Sequence, residues 1–410
     1  MVCSMRFVVE QNINSVLRIH YWILLFRYCF IFIILLCITC CNMVICSQLQ
    51  NNMQDISLDN DELCFVQKIA NAREYIEIMS KKDEKSNFLL YTDAKNNMMC
   101  IVSGFFPEQI IQNENIQFIG DFIDNNSSNH RKAILLYRLI EISSNLTNNI
   151  PSIEIINKLF TDVGCDSRIE ISESESDKDK QEQVQQKIDK IVGDKIDLLI
   201  SYCEAIINYL SYIAGSDIYK KDCHLLDSCE KAKQCFLNIK SQLSGLKNNV
   251  VNTNKIASVV FHCIRKEIKD SCKPTSSSPT YRDINILKPF HTEVIYLYKL
   301  IKEQELKTQE TPKKLIFFSR ATMCDSCKNL VASYINKNKL KAFVVSSKVH
   351  GDTLVTLNNN QDIKECIINV DDILSKKDCV RVSYVKTNAI NINNNIKQSN
   401  VMQTRYFIKQ

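Results

Sequence analysis

The sequence predicts an α/β domain towards the C-terminal end, a mixed sheet flanked by helices. Before it come a mainly α-helical region and an N-terminal hydrophobic segment. Three observations carry this reading. The 410 residues include only 7 Gly and 6 Pro, a composition that favours helices over an all-β sandwich. Between residues 283 and 386, short apolar runs suited to strands alternate with stretches of helical period, as expected of strands covered by helices. Upstream of that segment the apolar spacing is helical. The length allows two or three domains with ample buried core.

The elements follow in chain order. Residues 1–47 form a targeting segment. From Tyr28 to Cys46 there is no charged residue, and the run is dense in Ile, Leu, Phe and Cys and long enough to span a bilayer as a helix. Arg6, Arg18 and Arg27 precede it, which keeps the N-terminus cytoplasmic if the segment stays in place as a signal anchor. Cys46 and Ser47 close the run with small residues, as at the end of a cleaved signal peptide. Either form predicts a secreted or membrane-anchored, extracytoplasmic protein. Residues 55–165 read as a helical region, with apolar spacing over Glu62 to Met79, Ile134 to Ile142 and Ile153 to Phe160. Residues 166–186 turn polar and acidic and are expected to be a linker or a solvated helix.

Helical period resumes over 187–272, where Ile196, Leu199, Ile200, Cys203, Ile206, Ile207 and Leu210 form a wide apolar stripe suited to a core face. The loop Lys273 to Pro279 leads to the α/β domain at 283–386. There, Thr292 to Glu303 is an amphipathic helix with Val294, Leu297, Tyr298 and Ile301 on one face. Leu315 to Phe318 and Ala342 to Val345 are buried strands, and Leu330, Val331 and Tyr334 mark the helix between them. Thr353 to Leu357 and Cys379 to Lys386 read as further strands, with a helix from about Gln361 to Leu374 between them. Residues 387–410 form a polar, Asn-rich tail.

The chemistry concentrates in this domain. His291 and Glu293 stand at the start of one predicted helix, and Cys324 and Cys327 at the start of another. Two thiolates and an imidazole give Zn2+ three protein ligands and leave the fourth tetrahedral position open for water. The metal lowers the pKa of that water, and a carboxylate that is not a ligand then shuttles protons. An H-x-E motif followed by P-C-x-x-C is the signature of zinc nucleobase deaminases, and helix N-termini favour thiolate over thiol.

At His291-Thr292-Glu293, Ser319-Arg320, Cys324-Asp325-Ser326-Cys327 and His350-Gly351 the chain resembles the cytidine deaminase-like superfamily. Within it, the similarity is to the toxin-type branch shared by intracellular bacteria and fungi. The resemblance implies that His291, Cys324 and Cys327 hold zinc and that Glu293 is the catalytic proton shuttle. Met323 stands where the wider superfamily has proline, and no hairpin reads clearly ahead of the first motif. The expected activity is hydrolytic deamination of a nucleobase in a nucleotide or nucleic acid, by a secreted effector or toxin-like protein. From Asp283 onward, 20 Lys and Arg face 12 Asp and Glu, a balance compatible with such an anionic substrate.

Two other readings compete. In the first, the C-x-x-C belongs to a thioredoxin-like oxidoreductase, a fold that needs a cis-proline facing the cysteines, whereas no proline follows Pro312. In the second, the protein is non-enzymatic and helical, with a zinc-stapled binding module to which Cys366 or Cys379 supplies a fourth ligand. Of the 19 cysteines, the 11 that lie beyond residue 47 and outside the proposed ligands are too uneven in number to pair completely within one chain.

Overall fold

The computed structural model describes residues 58–80, 87–107, 115–146, 152–166, 168–169, 176–220, 222–249, 255–272, 286–306, 312–348, 362–375, 382–385 and 401–404. The predicted membrane or signal segment 28–46, the His350-Gly351 element, Cys379 and the predicted strand Thr353 to Leu357 lie outside these residues. The chain divides into Met1–Asp61 and Glu62–Gln410, and apart from the first two residues of the first helix the second unit holds the elements that follow.

An 8-stranded mixed sheet forms its centre, in the order β3-β2-β1-β4-β5-β6-β7-β8. The strands are β1 (Phe88–Thr92), β2 (Met98–Val102), β3 (Ile116–Gln117), β4 (Lys314–Ala321), β5 (Lys341–Lys348), β6 (Ile363–Ile368), β7 (Val382–Val385) and β8 (Val401–Thr404). β4, β5 and β6 run parallel, and β1 lies antiparallel to β4 with Leu89 opposite Ser319 and Leu90 opposite Phe318. The α/β class therefore holds. Its sheet draws on residues far upstream of the predicted domain.

This corrects the helical reading of 55–165. Only part of that region is helical: α1 (Asn60–Asn71), α2 (Arg73–Ser80), α3 (Gly120–Ile123), α4 (Ser127–Asn145) and α5 (Ile153–Val163). Between α2 and α3 lies the β1–β2 hairpin. Its turn is set by Asp93, whose Oδ1 accepts from the backbone N–H groups of Lys95 and Asn97 at 2.9 and 2.8 Å, while Asn96 takes a left-handed φ of 69°. Asn tolerates that conformation better than most side chains.

Of the two readings of 166–186, a linker or a solvated helix, the second describes its latter half. That half, from Asp177, is the first part of α6 (Asp177–Gly215). Ser176 caps this helix by accepting from the Asp179 N–H, so the polar composition marks a solvated helix start. With α7 (Cys223–Asn249) and α8 (Ile256–Ser271), α6 forms a helical insert between the hairpin and the rest of the sheet. Ile196, Leu199, Cys203, Ile206 and Leu210 are buried along it, as the stripe requires. Among the described residues, α6 alone is long and apolar enough to cross a membrane by length and composition.

A 3₁₀ turn (Lys288–Phe290) leads into α9 (Thr292–Glu305), followed by β4 and α10 (Asp325–Asn338). The amphipathic expectation for α9 is too narrow, because every residue from Thr292 to Ile301 is buried. Tyr296 packs on Tyr91 of β1 and Phe317 of β4, while Tyr298 packs edge-on against Tyr209 of α6. A helix apolar all round is one covered on both sides, here by the sheet and the insert.

Two C-terminal expectations also change. The helix predicted from Gln361 to Leu374 is strand β6 followed by the short α11 (Val370–Leu374). Lys364 and Glu365 suit a helix surface, but in the fold they are ion-paired. Lys364 meets Glu62 at 2.6 Å and Lys328 meets Glu365 at 3.0 Å, leaving Cys366 and Ile368 to face the core. The tail 387–410 contributes β8, which pairs with β7 along Val382–Val385.

Candidate metal centre

The centre forms where two helix N-termini meet the C-terminal end of β4. His291 is the N-cap residue of α9, with extended backbone (φ −65°, ψ 145°), and Cys324 is the N-cap of α10 (φ −68°, ψ 162°). Neither side chain caps its own helix, so both are available to a ligand. Cys327 lies one turn into α10, where the Lys328 N–H closes the first helical hydrogen bond onto the Cys324 carbonyl at 2.9 Å. That turn brings the two sulfurs to one side.

His291 Nδ1 lies 3.5 Å from Cys327 Sγ and 3.8 Å from Cys324 Sγ, and one ligand atom from each of the three residues lies within 4.8 Å of the others. Metal–ligand bonds near 2.0–2.3 Å at tetrahedral angles place ligand atoms roughly 3.5–3.8 Å apart. The three atoms fit one metal ion. Among the described residues no fourth His, Cys, Asp or Glu joins the group; Cys366 does not. Cys327 is buried, whereas His291 and Cys324 keep partial exposure, so the centre is reached from their side.

Glu293 is 3 % exposed. Its Oε1 accepts from Ser319 Oγ at 2.8 Å, and its Oε2 accepts from Thr292 Oγ1 at 3.2 Å. Asn87, at the start of β1, donates in turn to Thr292 Oγ1 at 3.3 Å. The hairpin therefore supports the carboxylate as well as extending the sheet: the Gly104 N–H donates to the Phe290 carbonyl at 3.1 Å, just before His291.

Without metal, the three groups share protons unequally. The hydrogen bond from Cys327, and the hydrogen bond and charge of His291, outweigh burial and bring the Cys324 thiol down to about 4. Cys327 is pushed well up by its bond to Cys324, by burial and by the charge of Glu293. Burial works to lower His291, but the hydrogen bond and charge of Cys324 and the charge of Glu293 prevail and raise it.

All four sequence-predicted site residues thus come together. Sequence reasoning missed the supporting residues Ser319, Asn87 and Thr292 as hydrogen-bond partners. The two five-residue runs Phe88–Thr92 and Met98–Val102, separated by a polar turn, were a hairpin signal of the ordinary kind. No protein-family model, curated protein or solved structure matches this chain. The fold and the centre define a mixed α/β protein whose His/Cys/Cys group could hold a metal ion.

Proposed function

We propose that the protein is a zinc-dependent hydrolytic deaminase of the cytidine deaminase-like kind. In this reading it replaces an amino group on a nucleobase of a nucleotide or nucleic acid with oxygen and releases ammonia. One observation carries the reading: His291, Cys324 and Cys327 converge at metal-ligand spacing, with the buried Glu293 carboxylate close enough to act on Cys327 and His291 by charge. A closed structural zinc site takes four protein ligands, whereas three with an open position suit a catalytic one. When bound, zinc supplies Lewis acidity that makes water nucleophilic near neutral pH.

The remaining steps belong to the chain. Glu293 takes a proton from the attacking water and passes it to the departing amine, so that water and amine-bearing ring become carbonyl and ammonia. Ser319 holds Oε1 and Thr292 holds Oε2, which fixes the orientation of the carboxylate. Burial between α9 and β4 keeps the carboxylate from bulk water. The hairpin sought ahead of the first motif is β1–β2, displaced upstream by the helical insert. The basic balance after Asp283 supports an anionic substrate, and the hydrophobic segment 28–46 supports membrane anchoring or secretion.

The test is ammonia release from a panel of nucleosides, nucleotides and oligonucleotides. Glu293→Ala is expected to keep stoichiometric zinc and lose at least about 100-fold in turnover, the usual scale of general acid–base catalysis. Unchanged turnover removes Glu293 from the chemistry. A dithiol oxidoreductase is the second reading, favoured by the low pKa of Cys324. Reduction of insulin disulfides by the metal-free protein, with no ammonia released from the panel, selects it instead.

A further inference from the structure

The helical insert meets the segments that surround the candidate metal centre at four places. Along α6, Tyr202 donates to the Phe105 carbonyl and Tyr209 to the Pro289 carbonyl, and beyond it Tyr219 reaches the Val294 carbonyl at 3.5 Å. The fourth contact involves Asp222, just before α7. Its Oδ1 accepts from the Leu225 N–H at 3.0 Å, capping α7, while its Oδ2 accepts from Ser326 Oγ. Ser326 lies between the two cysteine ligands, in the first turn of α10. One carboxylate thus joins the N-terminus of an insert helix to the N-terminus of the helix that carries both sulfurs. A negative charge there is favourable to both helix dipoles.

We propose that Asp222 is a positioning residue of the metal centre. Acting through Ser326, it fixes the turn that presents Cys324 and Cys327, which makes metal affinity a property of the insert as well as of the α/β domain. This rests on the metal-binding reading above and is independent of deamination. Groups that orient metal ligands without touching the metal typically change affinity about 10- to 100-fold. Among the described residues, the Ser326 hydroxyl is committed to Asp222. The turn is already closed by the Lys328 N–H on the Cys324 carbonyl, and α10 carries Asp325 in its first turn.

The experiment measures the zinc dissociation constant of the full chain by competition with a chromophoric chelator, beside the urea midpoint of the metal-free protein. Ser326→Ala removes the tie but leaves Asp222 capping α7. It is expected to weaken zinc binding about 10- to 100-fold with an unchanged metal-free midpoint. Asp222→Asn keeps a capping oxygen and is expected to weaken zinc binding less than Ser326→Ala. Asp222→Ala is expected to match Ser326→Ala in affinity and also to lower the metal-free midpoint. Zinc binding by Ser326→Ala within about twofold of wild type, a spread well below the expected effect, overturns the proposal. A wild-type chain that takes up no zinc overturns the metal centre itself, a separate outcome.

Discussion

Tyrosine-to-phenylalanine exchange at two positions of α6 provides a matched test of how the insert holds the centre. Tyr209 is fully buried, and its hydroxyl donates to the carbonyl of Pro289, two residues before His291. Burial keeps that phenol protonated, and so a donor, far above neutral pH. Its ring packs on Phe290 at 5.8 Å and edge-on to Tyr298 at 4.8 Å, contacts that phenylalanine preserves. Tyr209→Phe therefore deletes one donor and leaves a buried carbonyl without it. Such a loss costs about 1–3 kcal/mol, more than the net worth of an average hydrogen bond, because the acceptor stays desolvated. Tyr212, three residues on, donates at 2.5 Å to Glu305 at the exposed surface, and Lys302 lies 3.8 Å above its ring. Water replaces that hydroxyl, so Tyr212→Phe is expected within about 0.5 kcal/mol of wild type. The assay is urea unfolding of the metal-free protein followed by circular dichroism, reading midpoint shifts at constant slope. Equal shifts for the two variants, or a Tyr209→Phe loss below about 0.5 kcal/mol, less than the smallest cost of a stranded buried acceptor, refute the claim that this hydroxyl anchors the approach to His291.

Other outcomes follow from the same geometry. In the metal-free protein, Cys324 has its pKa depressed to about 4; its thiolate persists down to that value, and the stability it contributes, full above the ordinary thiol pKa, is lost progressively as pH falls from there to about 4. Iodoacetamide at pH 6 is thus expected to label Cys324 ahead of Cys327, Cys100 and Cys366, whose thiols are raised, with zinc protecting it; peptide mass spectrometry reads the order, and preferential labelling of Cys327 contradicts it. Glu62 of α1 is 3 % exposed and accepts from Lys314 of β4 and Lys364 of β6. Both lysines keep access to water, so Glu62→Gln is expected to cost about 1–3 kcal/mol, less than breaking a wholly buried pair. A thermal midpoint equal to wild type shows that the pairing is dispensable.

The site was more legible than the fold that carries it. His291 and Glu293 lie within one helical turn, as do Cys324 and Cys327, so the ligand chemistry is written in short local words. The flanking strand β4 is equally local, because Leu315, Phe317 and Phe318 are apolar on both faces of a central parallel strand. The β6 segment was misread because Lys364 and Glu365 have helical preference. What keeps them in a strand is tertiary: Glu62, 302 residues away in sequence from Lys364, and Lys328 across the sheet. Propensity yields to such partners wherever a charge is neutralised by a distant residue.

The hairpin exposes a deeper limit. Leu90 pairs with Phe318 although the whole insert lies between them. Nothing near Phe88 states that its partner lies beyond a helical bundle, because edge and centre strands of a sheet look alike locally. The closure cost rises only slowly with the length of the intervening chain, so an insert of this size is tolerated if its own helices are self-supporting. The buried faces of α6, α7 and α8 meet that condition, with Cys203, Cys235, Ile239 and Val260 wholly or almost wholly buried. The same insert then contributes Tyr209 to the approach to His291 and Asp222 to the helical turn that follows Cys324. A segment that only bridged the hairpin and β4 would have no reason to send buried hydroxyls and a helix-capping carboxylate to those loops. Its geometry is that of a third wall of the candidate metal centre.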